Sequence, residues 1–273
     1  MTIKIALDAG HGLHTKGKQT PTGIKEWSLN DDVRDLVVEK LEDYDVEFIF
    51  PDKNEGKTDE SLASRKSYYI NKGADVMVSI HHNAFTAKWN KATGVEVWTD
   101  KNNTASDMKL AKCIYSRLPK YTGLKGRGIK KENWAVINQN KIPAVLIEGG
   151  FMDSTIDYKV LTSEAGKDAY AKAVAEGLVE FLGLKKKTTE TTTKKETTKT
   201  ETKPTTTQSA NYYKKCSSKE TSLVDGLKSV GVNSSYATRK KIAKANGIKS
   251  YAGTASQNTK LVLLLKSGKL KKI

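Results

Sequence analysis

Cysteine is scarce in this chain, which has only Cys113 and Cys216 among its 273 residues. Structural zinc sites are closed by four ligands that usually include cysteine, so the sequence cannot form a cysteine-rich metal site. The two cysteines lie in different halves of the chain, and Cys113 is predicted on a helix face. The sequence therefore predicts no disulfide.

Other patterns are also absent. The chain has no His-Glu-x-x-His, so the metal-binding helix of the common metalloproteases is excluded. No apolar run is long enough to span a bilayer, which predicts no stable membrane insertion. The residues after Met1 pass directly into a strand pattern and leave no room for a removable signal peptide. We therefore expect synthesis in the cytoplasm and action elsewhere after release.

Charge is divided unevenly along the chain, which has a net charge of +16. Residues 1–184 contain 26 Lys or Arg and 26 Asp or Glu, whereas residues 211–273 contain 14 and 2. Between them, residues 185–210 are rich in Thr and Lys and lack any large apolar side chain, so they cannot form a core. The sequence predicts a neutral domain over 1–184, a linker over 185–210 and a basic domain over 211–273.

Hydrophobic patterns in the first segment predict an α/β domain. Residues 3–7, 76–80 and 144–147 form short apolar or alternating runs typical of strands. Apolar residues recur every three or four positions after Glu26, which indicates an amphipathic helix that begins there. We expect a twisted mixed β-sheet with helices on both faces.

Three of the four histidines lie in two short segments near predicted strand ends. His11 follows the first strand, and His81 with His82 follows the second. Glu148 follows the third strand. Residues far apart in sequence converge at the carboxyl ends of strands in open α/β sheets. Histidine and carboxylate ligands with one open position are typical of catalytic rather than structural zinc sites.

Five segments resemble, in the right order, the zinc-dependent N-acetylmuramoyl-L-alanine amidases of the amidase 3 type; they are residues 8–12, the helix start at 26–30, 62–71, 79–84 and 143–151. The resemblance covers about residues 1–184. It implies that His11, Glu26 and His81 bind Zn²⁺ and that Glu148 is the catalytic acid/base. The bond cleaved would join N-acetylmuramic acid to L-alanine of the peptidoglycan stem peptide.

Three positions depart from the family pattern without removing a ligand. Ala9 and Leu13 stand where the family often has proline and glycine, and His82 stands where alanine is common. The sequence leaves open whether His82 or His14 contacts substrate. For each of them we expect a solvent-exposed position at the pocket rim.

Several other side chains admit two interpretations. Arg65 could grip a substrate carboxylate, but a structural role that ties a helix to a loop is favoured. Trp98 and Trp134 are interpreted as strand or core aromatics rather than as a sugar platform. The segment between His81 and the strand at residues 95–98 is too short for a long occluding helix, which predicts an open pocket.

The basic segment 211–273 contains three helix patterns, at residues 221–227, 233–247 and 254–268, and predicts a small, mainly α-helical domain. Residues 253–261 resemble the C-terminal cell-wall-binding domains of some Bacillus phage and prophage amidases. Its positive charge could instead bind nucleic acid or form a solvated face. The attached hydrolase favours anionic wall polymers as partners, with no nucleic acid.

We therefore predict a peptidoglycan hydrolase of EC 3.5.1.28 that lyses Gram-positive cell wall, either as a phage or prophage endolysin or as a mother-cell enzyme of sporulation. One alternative is a zinc peptidase or deacetylase that acts on the same polymer. Wall deacetylases usually show a different metal pattern, with adjacent Asp and paired His. Another alternative is an inactive wall-binding protein, although all four site residues are present.

Overall fold

A computed structural model describes residues 2–52, 56–138, 141–187, 211–220, 222–234, 236–248, 251 and 255–273. The chain divides into two compact units, Met1–Lys185 and Lys186–Ile273. Most of the predicted linker, residues 188–210, lies outside the described residues. The boundaries predicted at 184 and 210 therefore stay predictions.

The first unit contains a six-stranded mixed sheet, as predicted. Its strand order is β2-β1-β3-β6-β4-β5, and every neighbouring pair is parallel except β4 and β6. The strands are β1 (Ile3–Ala9), β2 (Val46–Ile49), β3 (Val76–Asn83), β4 (Val95–Thr99), β5 (Gly126–Lys131) and β6 (Ala144–Phe151). The buried runs of β1, β3 and β6 form its centre, as expected for strands covered on both faces.

Helices cover both faces of this sheet. They are α1 (Glu26–Lys40), α2 (Leu62–Asn71), α3 (Ala105–Tyr115), α4 (Leu118–Thr122), α5 (Tyr158–Leu161) and α6 (Glu164–Leu182). On one face, Tyr69 of α2 packs in a buried cluster with Met77 and Leu146. On the other face, α1 and α6 pack together, and α3 and α4 pack on α6. This arrangement confirms the predicted α/β class.

The strands β3 and β6 run further than their apolar residues indicated. His81 and Glu148 were expected in loops after the strands, but β3 continues to Asn83 and β6 to Phe151. The backbone ladder between these two strands pairs His81 with Glu148. Polar residues can continue a strand when its backbone groups remain paired, so the loss of apolar character did not mark the strand end.

The second unit contains α7 (Leu223–Ser229), α8 (Tyr236–Ala245) and α9 (Ala255–Ser267), which agrees with the three predicted helices. The Ser222 hydroxyl accepts the backbone N–H of Asp225 and caps α7. Of the residues predicted to begin the second and third helices, Ser235 and Thr254 lie outside the described residues. Gly268, with φ +71°, follows the last residue of α9.

Buried apolar side chains from all three helices form the core of the second unit; they include Leu223, Leu227, Ile242, Leu261 and Leu265.

Both cysteines are buried free thiols. Cys216 lies in the second unit, and Cys113 lies on α3 of the first unit. Within the described ranges, no helix has the length and the apolar character that crossing a bilayer requires.

Candidate metal centre

Three of the residues singled out by the sequence meet at the carboxyl-terminal ends of the central parallel strands. His11 follows β1, Glu26 is the first residue of α1, and His81 lies in β3. One ligand atom from each of them lies within 4.8 Å of the others. His11 Nε2 and His81 Nδ1 are each 3.3 Å from Glu26 Oε1. The fold thus gathers two imidazoles around one carboxylate.

The donor set of this cluster fits a metal ion. Glu26 is buried, and its Oε2 atom has no hydrogen-bond partner in the described part of the chain. Burial raises the pKa of Glu26, but hydrogen bonds and charge from His11 and His81 outweigh it and hold the pKa well below its usual range. An ionised, buried carboxylate with an unpaired oxygen is stabilised by a cation. Two nitrogens and one oxygen are typical zinc ligands.

The backbone around His11 has an unusual conformation that only close packing can maintain. His11 has φ +66°, which is uncommon for a non-glycine residue. Its neighbour Gly10 must lack a side chain, because a Cβ atom there would lie 2.0 Å from His81 Cε1. The amide of Gly10 donates to Ile80 O, and Asn30 Nδ2 donates to Gly10 O. These bonds on both sides of Gly10 orient His11 toward Glu26.

A chain of buried hydrogen bonds orients His81. The Ser79 hydroxyl donates to Asp8 Oδ2 at 2.7 Å, so it accepts from His81 Nε2 at 3.1 Å. In the neutral ring that binds a metal ion, Nε2 would then hold the proton and the lone pair of Nδ1 would be free for the ion. Partners of this kind fix the tautomer of a metal-binding histidine. Asp8 and Ser79 lie in the recognised motifs, but no sequence pattern indicated their role, although Ser79 shares a strand face with His81 by alternation.

Arg65, which lies on α2 and is only 1% exposed, is the next member of this series of hydrogen bonds. Its guanidinium donates to Asp8 Oδ1 and to the carbonyl oxygens of Ala9 and His11. Arg65 therefore ties the helix to the loop that follows β1, as the structural interpretation predicted.

Replacing Arg65 with leucine should reduce the free energy of unfolding by about 3–5 kcal/mol, because Asp8 would become a buried charge without its partner. Denaturant unfolding measures this change. Arg117→Leu is the matched control, since its ion pair with Glu180 is partly exposed and should contribute about 0–1 kcal/mol. Equal, small losses for the two variants would contradict a structural role for Arg65.

Glu148 lies beside the three-residue cluster. It pairs with His81 across the parallel ladder and with Glu96 across the antiparallel ladder, so all three side chains share one face of the sheet. Its Oε2 atom is buried and has no hydrogen-bond partner among the described residues. Burial, followed by the negative charges of Glu26 and Glu96, raises the pKa of Glu148 well above its usual value.

The expectation that His82 is exposed is wrong, because it is only 2% exposed. Neighbouring residues of a strand point to opposite faces, so His82 points away from the cluster. Its Nδ1 atom lies 2.7 Å from Asn30 Oδ1, and its ring packs edge-on against Tyr170. Burial lowers the pKa of His82 to about 4. His14 is exposed, as expected.

The segment between β3 and β4 contains no helix, as its length predicted. The Asp153 carboxylate accepts the backbone N–H groups of Phe85, Thr86 and Ala87 at 2.8–3.1 Å, which holds this loop in place. Trp98 and Trp134 have ring centroids 4.6 Å apart and pack against the core cluster, as predicted for structural aromatics.

Comparison with known sequences identifies the family. The sequence profile for N-acetylmuramoyl-L-alanine amidase, amidase 3, matches residues 5–180. The endolysin of Bacillus phage SPP1 is 30% identical over 207 residues, and the match covers 71% of each chain. The N-acetylmuramoyl-L-alanine amidase LytC of Bacillus subtilis is 30% identical over 178 residues, which are 65% of this chain but only 35% of LytC.

Solved structures agree with this result. The N-acetylmuramoyl-L-alanine amidase from Clostridium difficile 630 has a TM-score of 0.62 and 30% identity, covering 67% of this chain and 97% of that one. The catalytic domain of CwlV, the amidase from Bacillus (Paenibacillus) polymyxa var. colistinus, has a TM-score of 0.60 and 27% identity, with 67% and 99% covered. These matches do not favour a peptidase or deacetylase. The chain belongs to the N-acetylmuramoyl-L-alanine amidase family, and residues 5–180 are its amidase domain.

Proposed function

We propose that this protein is a zinc-dependent amidase that hydrolyses the bond between N-acetylmuramic acid and L-alanine of peptidoglycan. The observation that carries the proposal is the convergence of His11, Glu26 and His81, with Glu148 on the adjacent strand. In the proposed roles, the first three residues hold Zn²⁺ and Glu148 transfers protons. Family membership supports the choice of substrate.

The reaction requires a stronger nucleophile than neutral water and a proton for the departing nitrogen. When bound, zinc supplies Lewis acidity, which makes water nucleophilic near neutral pH and polarises the carbonyl group. Glu148 accepts the proton of the attacking water and delivers it to the L-alanine nitrogen. Burial, followed by the charges of Glu26 and Glu96, raises the pKa of Glu148, which makes its carboxylate a stronger base toward the proton of water.

The residues around the cluster keep the ligands ready for the metal. The hydrogen bonds that join Arg65, Asp8 and Ser79 favour a proton on Nε2 of the neutral His81 ring, which would leave Nδ1 free to bind the metal. The low pKa of Glu26 keeps its carboxylate ionised. Because the segment between β3 and β4 contains no helix that could cover the site, we expect the site to be open to a polymer.

Digestion of purified Gram-positive wall, followed by mass analysis of the fragments, tests this function. We expect new amino groups on L-alanine with an intact glycan. New reducing sugar ends would indicate a glycosidase, and new amino groups elsewhere in the peptide would indicate an endopeptidase. Release of acetate would indicate a deacetylase. Any of these three results without new amino groups on L-alanine would contradict the proposal.

The proposed role of the second unit is to bind the wall. Its segment 211–273 carries 14 basic and 2 acidic residues, and anionic wall polymers offer a partner for this charge. The endolysin of Bacillus phage SPP1, which matches over 71% of both chains, supports a lytic role at the cell wall.

A smaller fraction of a fragment that ends at Leu184 than of the full chain should sediment with intact walls. The isolated segment 211–273 should sediment with the walls but should not cleave them. If charge supplies the attraction, binding should weaken as salt rises from about 0.05 to 0.5 M, because screening shortens the reach of surface charge. Co-sedimentation measures both effects. Equal binding by the fragment and the full chain, or equal affinity of the segment for duplex DNA, would contradict this role.

A further inference from the structure

The polar face that holds His81 and Glu148 continues toward the edge of the sheet. Glu148 pairs with Glu96 of β4, and the next strand, β5, is the edge strand. The register between β4 and β5 shifts opposite Glu96, so that Arg127 and Gly128 both face this one residue. Gly128 has φ +97°, a conformation that permits this bulge. The bulge directs Arg127 toward Glu96.

Glu96 is 2% exposed and accepts hydrogen bonds from four side chains. Arg127 Nε and Lys130 Nζ donate to Oε2 at 2.8 and 2.5 Å, while Asn83 Nδ2 and Trp98 Nε1 donate to Oε1. Burial raises the pKa of Glu96, but the bonds from Lys130 and Arg127 outweigh it and lower the pKa. One ionised carboxylate thus faces two cations, and the cluster has a positive charge in excess.

The excess charge is accessible from solvent, whereas Glu96 is not. The Arg127 and Lys130 side chains are 34% and 33% exposed. Only Nε of Arg127 is used in hydrogen bonds to the described residues, so its two terminal nitrogens remain available. The guanidinium lies over the Phe151 ring, and Lys130 Nζ lies over the Trp98 ring. These aromatic contacts limit the directions in which the two cations can point.

The direction of the substrate follows from the proposed role of Glu148. Glu148 gives its proton to the L-alanine nitrogen, so this nitrogen would lie beside β6, and a peptide that extends from it across β4 would approach β5. Strands are spaced about 4.8 Å apart, which puts β5 about 10 Å from β6. An extended peptide advances about 3.3–3.6 Å per residue, so a carboxylate group on the second residue of the stem peptide can reach Arg127.

We propose that Arg127 and Lys130 form a subsite that binds a free carboxylate of the stem peptide, within about two residues of the bond that is cleaved. This inference rests on the proposed function and specifies its substrate. The planar fork of arginine matches a carboxylate, and Lys130 adds a second charge. Glu96 holds both side chains in position for it.

Two synthetic N-acetylmuramoyl peptides test the subsite with the full-length protein. They differ only at the second residue, whose carboxylate is free in one and amidated in the other. The unchanged protein should have a KM about 10- to 100-fold lower for the free acid, the range expected of a charge-assisted hydrogen bond. Arg127→Gln and Lys130→Gln should each move the ratio of the two KM values toward one. Lys131→Gln, an exposed neighbour on β5, should keep the original ratio.

The ratio separates recognition from support of the fold. If the cations only neutralise Glu96 or protect the sheet edge, both substrates will be affected equally and the ratio will not change, which overturns the subsite. The subsite is also overturned if the protein without substitutions has the same KM for the two peptides. Arg127→Lys and Lys130→Gln provide the test if Arg127→Gln does not fold. Cleavage of neither peptide would overturn the proposed function itself.

Discussion

Replacing Glu148 with glutamine is expected to lower the turnover number of wall hydrolysis by about 10²–10⁴-fold, the usual contribution of a positioned general acid/base. Glutamine has nearly the same shape as glutamate but cannot accept and return a proton. Turnover is measured by the release of amino groups from purified wall. Since Glu148 lies outside the His11, Glu26 and His81 cluster, metal content should stay close to that of the unchanged protein.

The control for Glu148→Gln is Glu47→Gln, which changes a largely exposed glutamate on another strand of the same sheet. That variant should keep normal turnover. A Glu148→Gln protein with full metal content and near-normal turnover would show that another group transfers the proton. Loss of metal together with turnover would instead place Glu148 among the ligands.

Replacing His11 should remove bound metal and activity together, because only Glu26 and His81 of the three ligands would remain. His11→Asn is preferable to alanine, since asparagine tolerates the positive φ of this position better than most residues. Elemental mass spectrometry of the purified protein identifies the metal and measures its content. We expect about one zinc ion per chain before the change, and a large loss of both metal and amidase activity after it.

His14→Asn is the matched control, because His14 is an exposed histidine three residues away in the same loop. It should keep both metal and activity. Circular dichroism excludes unfolding as the cause of any loss. Full metal occupancy after replacement of His11, Glu26 and His81 together would rule out this site.

Local patterns were sufficient to predict most of the elements that carry the site. The runs at residues 3–7, 76–80 and 144–147 lie in β1, β3 and β6, and the helix predicted to begin at Glu26 does so. The ends of β3 and β6 were predicted too early, because backbone pairing continued through His81 and Glu148. Side-chain hydrophobicity carries no information about such pairing.

The adjacent pair His81 and His82 shows why burial could not be predicted from sequence. Alternation indicates that the two rings point to opposite faces, but it does not say what covers each face. Packing of Asn30 and Tyr170 encloses His82, while His81 faces Glu26. Likewise, the hydrogen bonds of Asp8 to Arg65 and to Ser79 join segments more than 50 residues apart.

The sequence by itself determined the division of charge between two parts of the chain, the α/β class and the residue types available for a metal site, because composition and periodicity are local properties. The order of the strands in the sheet decided which of these residues lie next to one another. Parallel pairing places β3 and β6 side by side, and antiparallel pairing brings Glu96 next to Glu148. Register between distant strands depends on the packing of the whole sheet, so only the tertiary structure could place Arg127 and Lys130 beside the acid that is proposed to transfer the proton.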